Sequence, residues 1–555
     1  MTLVTTAAPT STAATRRKPD DGRSFERWGI AVYLVAIVAV VGAIVGWLGG
    51  TLVYVVDDPA IHLSIADTLV HHGTWGVQEG SFQSASSSPV WTLLVAAATA
   101  LMPPDVDMWA PLVLNVLAGL AVLVLLGRHQ SVLNPGARRV DVVGVAVLVV
   151  VVLFLPGLAV VGMEHTLHIA LVLAVVALVQ EPGPWRPWLV GGLLAVATLT
   201  RFETAFVAFG LAVGLLLDAG PTRWVIRRAI RQAAVVVGSV GATLVAFAAV
   251  NVALGGGVLP NSVLDKGQGV GSTNGQADGA SVVDVAMRFT RDPVLTGLVV
   301  VAVAYLLVTW GRPATRRVGA VALVVATALH ATFADMGWYE RYQAYLIAIG
   351  LYVALGVLAE LPAEARRRGL AALLLLACAF GVVKVSLLAK APLAADDMYR
   401  AQYQAGLFLD RYYDGQAVAT DQLGYISLLH EGPLTDLGGL ADYEVLRDRP
   451  EGPALPGYLA TLAEERGFEV AVVYGTDGLS SVPPDWVLAG AFELDGEPVT
   501  GVSNQLLFFA VRPDEALPLQ EHLRDFEGEL PGRVRLQLNE FAGLQADAAA
   551  AEDAG

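Results

Sequence analysis

Two adjacent carboxylates, Asp57-Asp58, follow a long apolar run and precede Ile61, Ile65 and Leu69 at helical spacing. Carboxylates held at a rigid helix end suit a general base or a metal ligand; the plainer role is a charged pair that ends a span. Glu164-His165 occupies a short polar turn in Gly162–Thr166. A carboxylate beside an imidazole suits contact with a substrate hydroxyl, or a solvated hairpin tip. Arg201-Phe202-Glu203 interrupts an apolar stretch, where an unpaired guanidinium would be costly. It suits bidentate capture of a phosphate, or an internal Arg–Glu pair. Lys266, in a loop that also carries Asn261 and Asp265, is the only lysine between residues 19 and 383 and suits a phosphate as well. Beyond it, 268–280 reads as a linker, with a lid as the alternative. Arg341, at the end of Asp335–Tyr342, is a further phosphate candidate, although Trp338, Tyr339 and Tyr342 beside it also suit a membrane interface.

Apolar segments must position these groups. Of the 555 residues 55% are hydrophobic and 15% charged, with four lysines in all, and the mean hydropathy is +0.59. Soluble proteins are about 25% charged. A water-soluble enzyme, a disordered chain and, at a net charge of −16, a nucleic-acid binder are therefore excluded as classes. The single Cys378 excludes an internal disulfide framework and a multi-cysteine metal site. Apolar runs begin at Trp28–Val56, read as one retained span, and recur near 107–127, 140–161, 166–181, 187–200, 204–217, 232–254, 294–310, 318–334, 343–361 and 369–391. A shorter run, 89–102, ends at Pro103-Pro104. Kept out of the count as an interfacial segment, it leaves the basic loops at Arg128–Arg139, Arg186, Arg223–Arg231, Arg312–Arg317 and Arg366–Arg368 all in the cytoplasm. The expectation is a polytopic α-helical membrane protein of about 11 spans plus interfacial helices. Its N-terminus lies inside, its C-terminal domain outside, in a multi-pass plasma (inner) membrane location. That orientation, set by arginine alone, gathers Asp57, Glu164, Arg201, the 255–293 loop and Arg341 on the outer side.

The charge is unevenly divided. Residues 392–555 hold 29 acidic side chains against 9 arginines, a net −20, which leaves +4 for residues 1–391. The expected organisation is a disordered cytoplasmic tail over 1–27, then a membrane domain over 28–391 with external loops 57–106 and 255–293. An extracytoplasmic α/β domain follows over 392–544, and a disordered tail over 545–555. In the α/β domain a helix is predicted over 396–413, strands over 416–420, 470–474, 486–494 and 505–511, and a helix over 459–466. Asp421, Asp436 and Asp442 are expected at strand ends. The chain has no P-loop, no GxGxxG and no HExxH.

Taken in order, Asp57-Asp58, Ser87–Leu94, Gly162–Thr166, Arg201-Phe202-Glu203, Pro260–Lys266, Glu340-Arg341-Tyr342, Asp421–Ile426 and Thr435–Asp442 form a series along about residues 50–445. That series resembles the GT-C superfamily of integral membrane glycosyltransferases. It is most similar to the actinobacterial, mycobacterial-type terminal arabinofuranosyltransferases of cell-wall biogenesis. The resemblance implies a GT-C-like fold and transfer of a sugar, arabinofuranose by this branch, on the outer face. The donor would be a polyprenyl-phosphate sugar and the acceptor a cell-envelope glycan or glycolipid. It also implies Asp57 and Asp58 as catalytic residues, Arg201, Lys266 and Arg341 on the donor phosphate, and Glu164, His165, Glu203, Asn261 and His62 on sugar or acceptor. No cofactor is required; a divalent cation, Mg2+ or Mn2+, bridging an aspartate and the phosphate stays open. No nucleic-acid partner is implied. The alternative is a transporter or lipid-linked-sugar flippase without transferase activity, although such proteins place ionisable groups near the midplane and repeat their halves.

Overall fold

The computed structural model describes residues 23–133, 139–180, 185–268, 287–288, 290–312, 314, 316–475, 481–501 and 503–539. The predicted C-terminal tail, most of the N-terminal tail and most of the 268–280 linker lie outside them, as does the Lys266 side chain.

The first apolar run is not one helix. Helix α1 covers Arg23–Trp47 and stops before Gly49 and Gly50, whose φ values of +65° and +110° belong to the left-handed region open to glycine. The chain then leaves helical geometry, and Leu52–Val56 run through the interior at 5% exposure or less. Asp57-Asp58 is therefore not the exit of the first span. A buried apolar segment returns it to the protein, where Asp57 immediately precedes helix α2 (Asp58–His72), without a side-chain capping bond, and Pro59 sits in the first turn, in which a missing N–H costs nothing. Helix α3 (Pro89–Thr99) packs against α2. At 11 residues it is about 17 Å long, well short of a bilayer core of about 30 Å.

The remaining runs each become helices. They are α4 (Ala110–Leu133), α5 (Arg139–Val152) continued by α6 (Leu155–Val161), α7 (His165–Gln180), α8 (Pro187–Thr200), α9 (Thr204–Leu217) and α10 (Arg223–Ala253). After α11 (Asn261–Gln268) come α12 (Pro293–Val308), α13 (Arg317–Phe333), α14 (Ala344–Glu360) and α15 (Ala363–Ala389). Among the described residues, five helical stretches are long and apolar enough to cross a membrane. Helices α7, α8, α9, α12, α13 and α14 have 14–17 residues, fewer than the about 20 of a straight crossing. Length alone thus supports five crossings where the runs predict about 11. Small residues let α9 and α13 touch closely: a Cβ on Gly210 would lie 2.8 Å from the Ala322 carbonyl oxygen, and one on Gly214 2.8 Å from that of Val318.

Helix α15 leads into α16 (Ala391–Met398), a π-helical turn (Tyr399–Tyr403) and α17 (Gln404–Tyr413), a near-continuous rod from the apolar bundle into the C-terminal domain. That domain is built on strands β1 (Val418–Thr420), β2 (Leu434–Asp436), β3 (Val470–Tyr474), β4 (Val487–Leu494), β5 (Gln505–Ala510) and β6 (Val534–Leu538), in the sheet order β2-β1-β3-β5-β4-β6. Strand β1 pairs in parallel with β2 and β3, and the other pairings are antiparallel. Helix α18 (Gly424–Leu429) follows β1, α19 (Tyr443–Asp448) follows β2, α20 (Leu455–Arg466) precedes β3, and α21 (Ala516–Phe526) packs on β4 and β5. Phe408, Phe492, Phe508 and Phe526, each at most 2% exposed, fill the core between rod, sheet and α21. The four predicted strands are present. Strands β2 and β6 and helices α18, α19 and α21 went unread: β2 has three residues, α18 and α19 six each, and β6 is partly exposed along its length.

Candidate functional site

Two arginines flank one ring. Arg341 ends a loop in which Gly337, Trp338, Tyr339 and Glu340 all have positive φ, at +95°, +40°, +58° and +63°. Three successive non-glycine residues in that region are strained and persist only where surrounding contacts hold them. Those contacts are visible. Lys384 of α15 donates to Glu340, and the Tyr339 hydroxyl donates to the Leu387 carbonyl at 3.1 Å. The Gln343 amide donates to Asp292 at 3.1 Å and accepts from the Gly337 N–H at 2.9 Å. The loop thereby delivers Arg341, 5% exposed, to Asp58: Nη1 lies 2.6 Å from Oδ2. Its guanidinium stacks 5.0 Å from the Tyr342 ring centroid, and Nη2 donates to the Tyr342 hydroxyl at 3.2 Å.

Arg201 approaches the same ring, 5.8 Å from its centroid. It stands between α8 and α9, just past the last α8 turn, and gathers the next sequence pair. Nη1 donates to Glu164 Oε1 at 2.5 Å and contacts His165 Nε2 at 2.9 Å, while Nη2 donates to Glu203 at 2.5 Å. Glu164 is fully buried, and its Oε2 has no hydrogen-bond partner among the described residues. Burial without a partner is costly for a carboxylate oxygen. A hydroxyl arriving there would satisfy it.

Asp57 faces the other way, toward the C-terminal domain. The Gln402 amide, on the π-helical turn, donates to Asp57 Oδ2 at 3.2 Å. Burial and the neighbouring Asp58 raise the Asp57 carboxyl above the usual carboxylate range, while the Gln402 hydrogen bond and Arg341 pull it down. The Tyr425 hydroxyl accepts the Tyr54 N–H at 2.8 Å, three residues before Asp57. Further seams between the two parts join Ser64 to the Ser427 carbonyl at 2.8 Å and the Leu434 N–H to Gln78 at 2.7 Å. Gly424, at φ +27°, has no room for a side chain: a Cβ would meet Gln402 Oε1 at 1.6 Å and Asp57 Cβ at 2.9 Å. Asp421 and Asp436 lie behind this seam, at the carboxyl ends of the parallel strands β1 and β2, where open α/β sheets usually bind ligands. Burial pushes Asp421 up to about 7 and Asp436 up to about 6.

Of the sequence-predicted residues, Asp57, Asp58, Glu164, His165, Arg201, Glu203 and Arg341 converge on one region. His62 borders it. It binds the Thr92 hydroxyl through Nδ1 at 2.8 Å, within an array formed with Ser86. Burial keeps its imidazole below the usual value, against the opposing charges of Glu164 and Asp58. Asn261 lies elsewhere along the seam, its N–H on the Ser84 carbonyl at 3.2 Å and its amide on the Gly439 carbonyl at 3.4 Å. The backbone of Lys266 belongs to α11. Tyr342 and Gln402 were not read as site residues. The first is masked by the preference of aromatics for interfaces, and nothing local marks the second, 345 positions from Asp57. No group of three or more His, Cys, Asp or Glu residues suited to a metal occurs among the described residues. The set does not fit a cation: Asp58 faces a guanidinium and Asp57 an amide N–H.

No curated protein sequence matches the chain. A domain family of unknown function, DUF8728, matches residues 394–509, the greater part of the C-terminal domain. In structure the chain is similar to ArnT from Cupriavidus metallidurans at 12% identity. In the apo state the TM-score is 0.52, with 87% of this chain and 97% of that one covered. Bound to undecaprenyl phosphate, the TM-score is again 0.52, with 88% and 98% covered. The Archaeoglobus fulgidus oligosaccharyltransferase, in its apo form, aligns over 90% of this chain and 78% of that one at 12% identity and a TM-score of 0.47. At 12% identity the likeness to ArnT is one of fold alone.

Proposed function

We propose that the protein is a membrane glycosyltransferase that moves a sugar from a polyprenyl-phosphate donor to a glycan or glycolipid acceptor of the cell envelope, on the outer face. One observation carries the reading. A half-buried acid with a raised proton affinity, Asp57, adjoins an acid–arginine pair, Asp58–Arg341, at the junction of a membrane bundle and a sheet domain whose shared fold includes ArnT. ArnT has been solved with undecaprenyl phosphate bound. A carboxylate serves best as a base when its pKa approaches the working pH, which burial favours for Asp57. Asp58, paired with Arg341 at 2.6 Å, is the anchor for the guanidinium.

In this mechanism the acceptor hydroxyl gives its proton to the Asp57 carboxylate as its oxygen bonds to the anomeric carbon. The bond from that carbon to the phosphate oxygen breaks, and the polyprenyl phosphate leaves with the electron pair. Arg341, supported across the Tyr342 ring by Arg201 and joined by Lys266, offsets the charge that develops on the phosphate. Glu164, with its unfilled oxygen, together with His165, Glu203, Asn261 and His62, meets sugar and acceptor hydroxyls. No step runs through a metal ion. Arabinofuranose as the sugar rests on the sequence resemblance. A flippase is less favoured: the charged groups lie in turns between helices, not within helix middles.

The test is transfer from a panel of polyprenyl-phosphate sugars, arabinofuranose among them, by purified protein in lipid nanodiscs. Asp57→Asn is expected to reduce transfer by at least about 100-fold, in the range lost with a general base, while the protein inserts normally. Full activity in Asp57→Asn, in Asp58→Asn and in the double variant would sink the mechanism.

A further inference from the structure

We infer that Gln402 is the positioning residue of Asp57: the C-terminal domain reaches into the membrane domain's carboxylate pair and fixes which oxygen of Asp57 faces the reaction. The inference rests on the assignment of Asp57 as base and goes beyond it, because it makes the outer domain part of the active site.

The geometry is a closed ring. Gln402 Oε1 accepts the Tyr425 N–H at 3.1 Å. A backbone N–H can only donate, so the amide oxygen is committed to it and the NH2 group must point to Asp57, where it donates to Oδ2 at 3.2 Å. The Tyr425 hydroxyl closes the ring by accepting the Tyr54 N–H at 2.8 Å, on the segment that ends in Asp57. All the supporting groups are buried: Gln402 is 2% exposed, Tyr425 0% and Tyr54 1%. The π-helical turn at Tyr399–Tyr403 aims Gln402 at this point, and such turns recur at functional sites. Gly424, which tolerates no Cβ against Gln402 Oε1 and Asp57, shows how closely the two domains meet.

An amide N–H stabilises the ionised carboxylate, the form that accepts a proton, over the protonated one. The other charged and titratable groups facing Asp57 are Asp58 on its own helix, Arg341 from the strained loop, Tyr425 on α18 and Tyr474 at the end of β3. Gln402 is the neutral donor among them. Without it, burial and Asp58 act against a backbone hydrogen bond and Arg341 only, and Asp57 holds its proton to higher pH.

The experiment is an isotope-edited infrared titration of the Asp57 carboxyl in full-length protein in nanodiscs, with Asp57→Asn as the blank. Gln402→Leu is expected to move the midpoint up by about one pH unit, the loss of one charge-assisted hydrogen bond. The isosteric Gln402→Glu, which keeps the packing but replaces the donor by a carboxyl, moves it up further. In turnover assays the acidic limb of the kcat profile moves by the same amount with the donor KM unchanged. A midpoint unchanged in both variants overturns the inference, as does activity that falls equally at every pH. The infrared arm needs no turnover. A wild-type protein that transfers no sugar defeats the transferase reading, an active Asp57→Asn defeats the assignment of Asp57 as base, and an unshifted midpoint defeats the role of Gln402 alone.

Discussion

At the scale of residues, the site is organised by charge balance more than by any one side chain. Arg201 stands between Glu164 and Glu203, and Arg341 beside Asp58, so neither guanidinium is left without a counter-ion inside an apolar bundle. Tyr342 lies between the two, within cation–π range of both. A ring in that position couples them, since a shift of one guanidinium alters the face offered to the other. Cation–π contacts contribute about 0.5–2 kcal/mol each. Tyr342→Ala is therefore expected to lower kcat/KM by roughly 2- to 30-fold. Tyr342→Phe, which keeps the ring and loses the hydroxyl that accepts from Arg341, loses less. Steady-state kinetics with a polyprenyl-phosphate sugar give the order, and a Tyr342→Ala enzyme as fast as the wild type would remove the ring from the site.

At the scale of elements, the parallel part of the sheet presents Asp421 and Asp436 toward the domain seam. Their folded values, up to about 7 and about 6, stand above those of free carboxylates near 4. The sign follows. The unfolded chain releases these protons near about pH 4, while the folded domain keeps them until about pH 6–7, so stability falls as pH rises through that window and levels off above it. Asp421→Asn removes the larger part of the effect, because its side-chain oxygen still accepts the Tyr474 N–H that Asp421 accepts at 3.1 Å. The variant is expected to unfold less readily than wild type at about pH 8, by on the order of 1 kcal/mol, with no gain at about pH 4. Thermal melts at the two pH values read this directly, and an equal change at both would mean that the carboxyl titrates normally.

At the scale of the whole molecule, the C-terminal domain is docked rather than tethered. Tyr54–Tyr425, Ser64–Ser427, Gln78–Leu434 and Asn261–Gly439 fasten it to residues 54–78 and to α11. The domain, Asp57 and α2 must then lie on the same side of the membrane, and we propose from the arginine distribution that this side is the outer one. In a Cys378→Ser background, a cysteine at the exposed Glu431 is expected to react with a membrane-impermeant maleimide added to intact cells. Reaction only after permeabilisation would reverse the orientation and the proposed function with it.

Hydrophobic periodicity and the division of charge made the helical bundle, the acidic α/β domain and four of its strands legible in the chain, because each depends on residues close in sequence. The polar pairs were legible for a second reason: ionisable groups are so costly in an apolar chain that their mere presence at 57–58, 164–165, 201–203 and 341 marks them. The end of α1 at Gly49-Gly50 was written there too, but the hydrophobicity of Leu52–Val56 hid it, since buried extended chain and membrane helix have the same composition. Only the tertiary structure decided that this segment turns back into the protein, that Arg341 pairs with Asp58 while Arg201 also reaches Glu164, and that Gln402 reaches Asp57. Those contacts join positions dozens to hundreds of residues apart, and their partners are chosen by the packing of whole helices and a sheet, which no local pattern encodes.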